Sequence, residues 1–296
     1  MSYKSYIIAG PTASGKSDFA HRLAQRVNGV IINCDSVQIY NGIENISASP
    51  FAGKDPKTSI DGIPYRLFSI LPLTEQITVA DYLEMARREY DSVIAAGKTP
   101  IFVGGSGYYI GVLLNGISPI PSVSDENRQR ARNMVMDYPD AVKKLLPEDF
   151  VQKDPQRTSR ALEVFLETGR PLSEWQSLPR RGAITPTPFK ILINPHKDIL
   201  LKRIADRIPD MMSGGALDEA RAVMKSSWDE NRAIGAAELC RFLRGEILES
   251  DAIKNWITRT NQYAKRQRTW FRGQYAANLE ILHVPNDSDL ENFINK

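Results

Sequence analysis

The chain of 296 residues carries 25% charged and 42% apolar side chains and a formal net charge of +3, a globular balance with length enough for one large or two unequal domains. No window approaches the ~18 uninterrupted apolar residues of a membrane span, and the first residues run straight into a strand-like segment, leaving no room for a signal peptide. Two cysteines (Cys34, Cys240) and three scattered histidines give neither a disulfide framework nor a metal-type cluster, so a reducing cytoplasm is expected, and the mild positive charge permits a polyanionic partner.

In chain order, YIIAG (6–10) and GVIINCD (29–35) read as buried strands, with a helix from Lys16 to about Asn28 between them. That is a βαβ unit, and its crossover helix argues for a parallel sheet. The linking stretch, Gly10-Pro11-Thr12-Ala13-Ser14-Gly15-Lys16-Ser17, matches the phosphate loop G-x-x-x-x-G-K-[ST] in full, as ATP-binding proteins also carry it. Its glycines let successive N–H groups point into one concavity. Lys16 supplies an ammonium for the outer phosphates, Ser17 a hydroxyl for Mg²⁺, and the helix its positive end. The pattern speaks for phosphate and is silent about the reaction.

A hydrolytic NTPase should also end an apolar strand in an aspartate, yet PIFVGG ends in glycines. The candidate acid is Asp35, after VIINC, which the rule for ligands at strand carboxyl ends places beside the phosphate loop. It can hold the water shell of magnesium, take a proton from a nucleophile, or merely cap a helix after it. Ser36 and Gln38 read equally as crevice-lip polar groups or turn residues.

Thr78 with Asp81 forms a capping box, and Val79, Leu83, Ala86, Tyr90 and Val93 recur at helical spacing until Gly97 ends the helix. VGGSGYYIG (103–111) is a second glycine-rich turn, with Ser106 at a helix mouth. From 113 to 188 strand-like runs vanish and proline-rich turns (SPIPSVS, DYPD, LPED, KDPQ, PRRGAITPTP) separate short helices. Within it, DPQRTSRALEVFLETGRP (154–171) is an amphipathic helix stopped by Gly169. Arg157 and Arg160 share a face that suits a phosphate backbone, or else Arg160 pairs with Glu163. FKILINP (189–195) and LEILHVP (279–285) supply two more strands. Between them the chain is helical, with Arg203 and Arg207 one turn apart. Trp256, Tyr263 and Trp270 form a stripe that reads as core more readily than as a base-stacking platform, and Lys265, Arg268 and Arg272 lie roughly opposite it, a possible footprint for nucleic acid.

The expected architecture is α/β: a P-loop parallel sheet flanked by helices, with an inserted all-helical domain. Its parts are a first core segment (1–112), the insertion (113–188) and a second core segment with basic C-terminal helices (189–296). On residues alone, a transferase using a phosphorylated small molecule competes with an NTP-driven module acting on nucleic acid. Lack of a strand-ending acid favours the transferase.

Seven segments together resemble the tRNA dimethylallyltransferases of bacterial type: GPTASGKS, CDSVQIY, FVGGSGYYI, QRTSRALEVFLETGRPLS, ALDEARA, AIGAAEL and RTNQYAKRQRTWFR, in family order across 10–272. The resemblance implies a nucleotide-kinase-like fold with an inserted helical domain gripping the anticodon stem-loop. It implies transfer of a dimethylallyl group from dimethylallyl diphosphate to N6 of adenosine 37 in tRNAs reading codons that begin with U. The residues from Gly10 to Ser17, with Arg203 and Arg207, would then bind a departing diphosphate with Mg²⁺ held through Ser17. Asp35 would serve as general base, with Lys16 and Ser106 beside it in catalysis. Asp35, Ser36, Val37, Gln38, Ser106, Arg128, Gln156, Arg157, Thr158, Ser159 and Arg160 would contact tRNA. The protein is expected to act as a monomer, away from membranes. Three departures stand out. Ala236 takes the place of a common aromatic, Ser106 that of threonine, and Pro209 follows Arg207 inside a helix, where a kink is expected.

Overall fold

A computed structural model describes residues 5–55, 58–147, 154–184 and 187–294. Residues 1–4, and parts of the LPED, KDPQ and PRRGAITPTP turns, lie outside the described residues. The chain divides into two compact units, one formed by 1–114 with 184–296 and the other by 115–183.

The larger unit is mixed α/β. Strand β1 (Tyr6–Ala9) leads through the glycine loop into helix α1 (Lys16–Arg26) and then β2 (Gly29–Asn33). A hairpin of β3 (Ser59–Ile60) and β4 (Ile63–Arg66) follows, then α2 (Val79–Ala95), β5 (Thr99–Gly104) and α3 (Gly107–Asn115). After the second unit come β6 (Phe189–Ile193), a helical run, β7 (Leu279–Ile281) and a last helix (Asp287–Ile294). The seven strands lie in the order β3-β4-β2-β5-β1-β6-β7, all parallel except the β3–β4 hairpin. The hairpin was not expected from the sequence; its turn is Asp61-Gly62, both at positive φ (49° and 78°), as a two-residue hairpin turn requires.

Strands β1, β2 and β5 are buried along almost their whole length and mostly apolar because both their faces are covered, as parallel sheets require. On one face Ile8, Ile31, Ile101 and Ile191 pack against Phe19 and Leu23 of α1, and all are essentially inaccessible. Register sets the site: Ala9 lies level with Gly104 and Leu192, so the segments after β1 and β5 emerge together at the carboxyl edge. The expected capping box starts α2: Thr78 Oγ1 accepts from Asp81 N at 3.2 Å and Asp81 Oδ2 from Thr78 N at 2.7 Å. The buried Tyr82 of that helix donates its hydroxyl to Asn33 O at 3.0 Å and so pins the end of β2.

The helical run after β6 comprises α8 (Lys197–Met211), a π turn (Met212–Ala216), α9 (Leu217–Lys225), α10 (Ala236–Leu243) and α11 (Glu249–Gln274). The kink expected at Pro209 is not there. Helix α8 runs through it, and the break falls at Gly215, where φ is 113°. A proline so near a helix end removes one late hydrogen bond and little else. No helix among the described residues is long and apolar enough to cross a membrane.

The smaller unit holds α4 (Asp125–Asp137), α5 (Pro139–Leu145), α6 (Pro155–Thr168) and α7 (Leu172–Ser177), around a core of Ala131, Val142, Leu146, Ala161 and Leu162. Asp154 caps α6 by accepting Gln156 N at 2.9 Å, and Gly169 ends it in the left-handed region at φ 68°. Glu167 of α6 accepts from Ser124 N, Ser124 Oγ and Asn127 Nδ2, at 2.7–2.9 Å, tying α6 to the start of α4.

Candidate active site

The loop from Gly10 to Ser17 curls because its backbone alternates hand: Ala13 and Gly15 both sit at positive φ, 63° and 92°. Such alternation turns successive N–H groups to one side, and only glycine takes Gly15's conformation without strain. Lys16 Nζ donates to Pro11 O at 3.3 Å, and the buried Ser14 Oγ has no partner among the described residues. The loop is also held from outside. Arg203 Nε of α8 donates to Ala13 O at 2.8 Å, and a guanidinium N–H of Arg207 donates to Thr12 Oγ1 at 3.0 Å. These two arginines thus converge on the loop from across the cleft, the unbroken α8 setting their spacing. Arg207 Nε is buried with no partner among the described residues, a donor still to be satisfied.

The loop lines a cleft of about 540 Å³ whose other walls are Asp35 to Gln38, Ile46 to Ala48, residues 231–234 and one face of α11. Asp35 leaves β2 just past Asn33, whose side chain accepts Asp35 N at 2.8 Å and donates to Asp35 O at 2.9 Å. Asp35 Oδ1 in turn accepts Val37 N at 2.9 Å and Gln38 N at 3.4 Å. The capping role weighed for this acid is therefore real for one oxygen, in a turn and not in a helix. Among the described residues no hydrogen bond engages Oδ2. Gln38 donates its amide to Ser47 O at 3.1 Å and Ala48 O at 2.9 Å. That second loop is fixed by Glu219 of α9, whose carboxylate accepts Asn45 N, Asn45 Nδ2 and Ile46 N, each at 2.8 Å. Burial raises the Glu219 carboxyl above its usual range.

Electrostatics follow from enclosure. Burial lowers the Lys16 ammonium to about 8, with Asp35 pulling the other way and Arg207 adding to the fall. The residue as a whole is half-buried; its charged end is the enclosed part. Burial, then Arg203, lowers Arg207 to about 10, which leaves it charged at neutral pH. An arriving anion restores the Lys16 proton. Anion binding at Lys16 should accordingly take up protons above pH 8 and weaken as pH rises through that value, which calorimetry with inorganic pyrophosphate in buffers of different ionisation heat will read. Between pH 8 and about 10.5 the unfolded chain holds the Lys16 proton and the ligand-free fold does not, so ligand-free stability rises with pH there.

The structure brings together Gly10 to Ser17, Asp35 to Gln38, Arg203 and Arg207 in the larger unit. Ser106, at the half-buried start of α3, is outside the cleft lining. The glycines around it serve packing rather than ligand approach. A Cβ at Gly104 would strike Cys34 O, at Gly105 the Gln267 amide and at Gly107 the Trp270 ring. Arg128, Gln156, Arg157, Thr158, Ser159 and Arg160 lie in the smaller unit. Arg128 pairs with Asp125 at 3.0 Å, Arg160 with Glu163 at 3.1 Å, Arg157 is exposed and Ser159 is buried.

The face of α11 also departs from expectation. Arg268 is partly buried and donates to Asn194 Oδ1 at 3.0 Å, so it is no free basic footprint. Besides Lys16, Arg203 and Arg207, the cleft is lined by Arg232, Arg259 and Arg266, which sequence reading did not single out. Arg259 is paired with Glu238, and Arg266 stands over the Tyr263 ring at 5.7 Å. The signal was present: Arg259 and Arg266 are seven apart, on the same stripe as Trp256 and Tyr263. Of the stripe, Trp256 is core at 2% exposure, and both it and Tyr263 border the cleft.

Fold and site together define an α/β protein in which a glycine loop, Asp35 and several arginines line one cleft. The model of the family described as IPP transferase matches residues 38–274, and that of isopentenyl transferase matches residues 3–59. The chain belongs to the IPP transferase family. A tRNA dimethylallyltransferase of Rickettsia bellii is 37% identical over 296 residues, covering 96% of this chain and 92% of the relative. One of Paramagnetospirillum magneticum is 36% identical, over 92% and 89%. The crystal structure of a tRNA isopentenylpyrophosphate transferase from Bacillus halodurans is similar with a TM-score of 0.69 at 27% identity, covering 99% of this chain and 96% of that one. A eukaryotic dimethylallyltransferase caught acting on tRNA superimposes with a TM-score of 0.78 at 25% identity, over 99% and 80%.

Proposed function

We propose that the chain transfers a dimethylallyl group from dimethylallyl diphosphate to N6 of adenosine 37 in tRNAs reading codons that begin with U, releasing diphosphate. The observation that carries this reading is the single cleft in which the anion loop, two arginines bound to its tip and an aspartate with an unengaged oxygen meet. An allylic C1–O bond that breaks as the N6 amine attacks puts growing negative charge on the departing oxygens. Loop N–H groups, Lys16, Arg203 and Arg207 are donors already in place for that charge. Asp35 Oδ2 accepts the proton the amine must shed as the C–N bond forms. The adenine reaches it by leaving its stack.

The residues fit Mg²⁺ as well. Among the described residues no group of three or more His, Cys, Asp or Glu side chains forms a dedicated cage, whereas the Ser17 hydroxyl beside a phosphate site is the sparse kind of oxygen donor this ion accepts together with substrate phosphates. Bound there, the ion would offset charge on the diphosphate oxygens.

The finer architecture belongs to the same proposal: a P-loop, nucleotide-kinase-like core carrying an inserted helical domain that grips the anticodon stem-loop through Arg128 and the 156–160 segment. Changing Arg157 and Arg160 together should weaken tRNA binding and flatten its salt dependence, since each lost phosphate contact lowers the slope by roughly one. An unchanged slope returns both to a solvated helix face. A chain that acts as a monomer belongs to the same proposal, and a tRNA substrate fits a cytoplasmic setting. The reading is tested by pyrophosphate release. Release from dimethylallyl diphosphate that depends on tRNA supports it, and brisk ATP or GTP hydrolysis without alkylation of RNA overturns it in favour of an NTP-driven module.

A further inference from the structure

The loop tip has a third outside tie. Thr12 N, in the middle of the phosphate loop, donates to Gln267 Oε1 at 2.8 Å, and Gln267 Nε2 donates to Gly105 O at 2.8 Å. The side chain that makes both bonds is buried, on the α11 face that lines the cleft. We propose that Gln267 is a positioning residue for the diphosphate: it locks the loop against the β5–α3 turn, next to Ser106, and so holds the loop's remaining N–H groups in their anion-binding arrangement. This inference rests on the diphosphate reading above.

Three observations carry it. Both ends of the Gln267 carboxamide are engaged, since its oxygen takes one loop N–H and its nitrogen donates to one carbonyl of the neighbouring turn. Gly105 leaves the space the carboxamide needs, because any Cβ there would strike Gln267 Nε2. The other two ties to the tip, from Arg203 and Arg207, are charged groups that an arriving diphosphate attracts to itself. The glutamine is neutral and is drawn to no anion. When the arginines turn to the ligand, Gln267 remains as the fixed anchor of Thr12.

The test uses the full chain with Mg²⁺ and inorganic pyrophosphate as probe, alongside tRNA binding and thermal unfolding. Gln267→Leu keeps the bulk and removes both bonds. Gly105→Ala keeps every polar group and displaces the carboxamide. Both variants should weaken pyrophosphate binding by about tenfold to a hundredfold, the scale of one buried donor left without its acceptor, and raise KM for dimethylallyl diphosphate in step. Their tRNA affinity should stay at the wild-type value. Pyrophosphate affinity unchanged in either folded variant overturns the inference, as do equal losses of pyrophosphate and tRNA affinity, which mark a general structural role. If Gln267→Leu does not fold, Gly105→Ala decides by the same criteria. A wild-type protein that binds no pyrophosphate overturns the diphosphate reading itself.

Discussion

Replacing Asp35 with alanine is expected to lower turnover by about 10²–10⁴-fold, the usual scale for losing a general base, while tRNA binding stays close to wild type. The backbone there is held independently of the carboxylate. Asn33 bonds the Asp35 main chain on both sides, so alanine removes the acid without freeing the loop. The local loss is the turn cap to Val37 N and Gln38 N, and Gln38 remains tied to Ser47 O and Ala48 O. Asp35→Asn separates the two roles, because its carbonyl can keep the cap but cannot take a proton. Equal losses in both variants support the proton-accepting role; near-normal turnover in either removes Asp35 from the chemistry.

The second large effect is expected at Lys16. Lys16→Met keeps the chain length and removes the charge, and kcat should fall by about 10²–10³-fold, the loss typical of one donor aimed at developing charge. The ammonium is enclosed, with its proton affinity depressed by burial, so its attraction to an anion is poorly screened. Affinity for dimethylallyl diphosphate should fall as well, and the loss of affinity above pH 8 should vanish. That last readout is distinctive: a variant that keeps the wild-type pH dependence places the titrating group elsewhere.

Much of the core was legible because its signals are local. The glycine loop (10–17), α1 and the buried strands β1, β2 and β5 follow from apolar runs and one spacing pattern, and the capping box at Thr78 and Asp81 starts α2 at its expected residue. The β3–β4 hairpin was missed although Asp61-Gly62 is a strong turn signal, since Pro64 and strands of two and four residues give no alternation to count. Pro209 misled in the opposite direction. A local rule put a kink there, but α8 runs on through Pro209 to Met211, and the non-helical residue is Gly215, with positive φ.

The cleft was half legible. Residues 10–17 and 35–38 announce themselves because each follows a strand end. Arg232, Arg259, Arg266 and Gln267 do not, because their meaning depends on which face of α11 and of the 231–234 segment turns to the loop, and only tertiary packing decides that. The aromatic stripe drew attention to the opposite face for basic residues, while the cleft cations sit on the stripe itself. The glycines of VGGSG were likewise ambiguous in sequence, and the neighbours that explain them, Cys34, Gln267 and Trp270, are distant along the chain.

One cleft, in this reading, holds a diphosphate while it leaves and an RNA amine while it is alkylated. The decisive assay incubates the protein with Mg²⁺, labelled dimethylallyl diphosphate and unmodified tRNA, then digests the RNA to nucleosides. Label should appear in N6-(dimethylallyl)adenosine from position 37, with one pyrophosphate released per group transferred. Labelled diphosphate recovered intact, with RNA left unmodified under conditions where both bind, contradicts the reading.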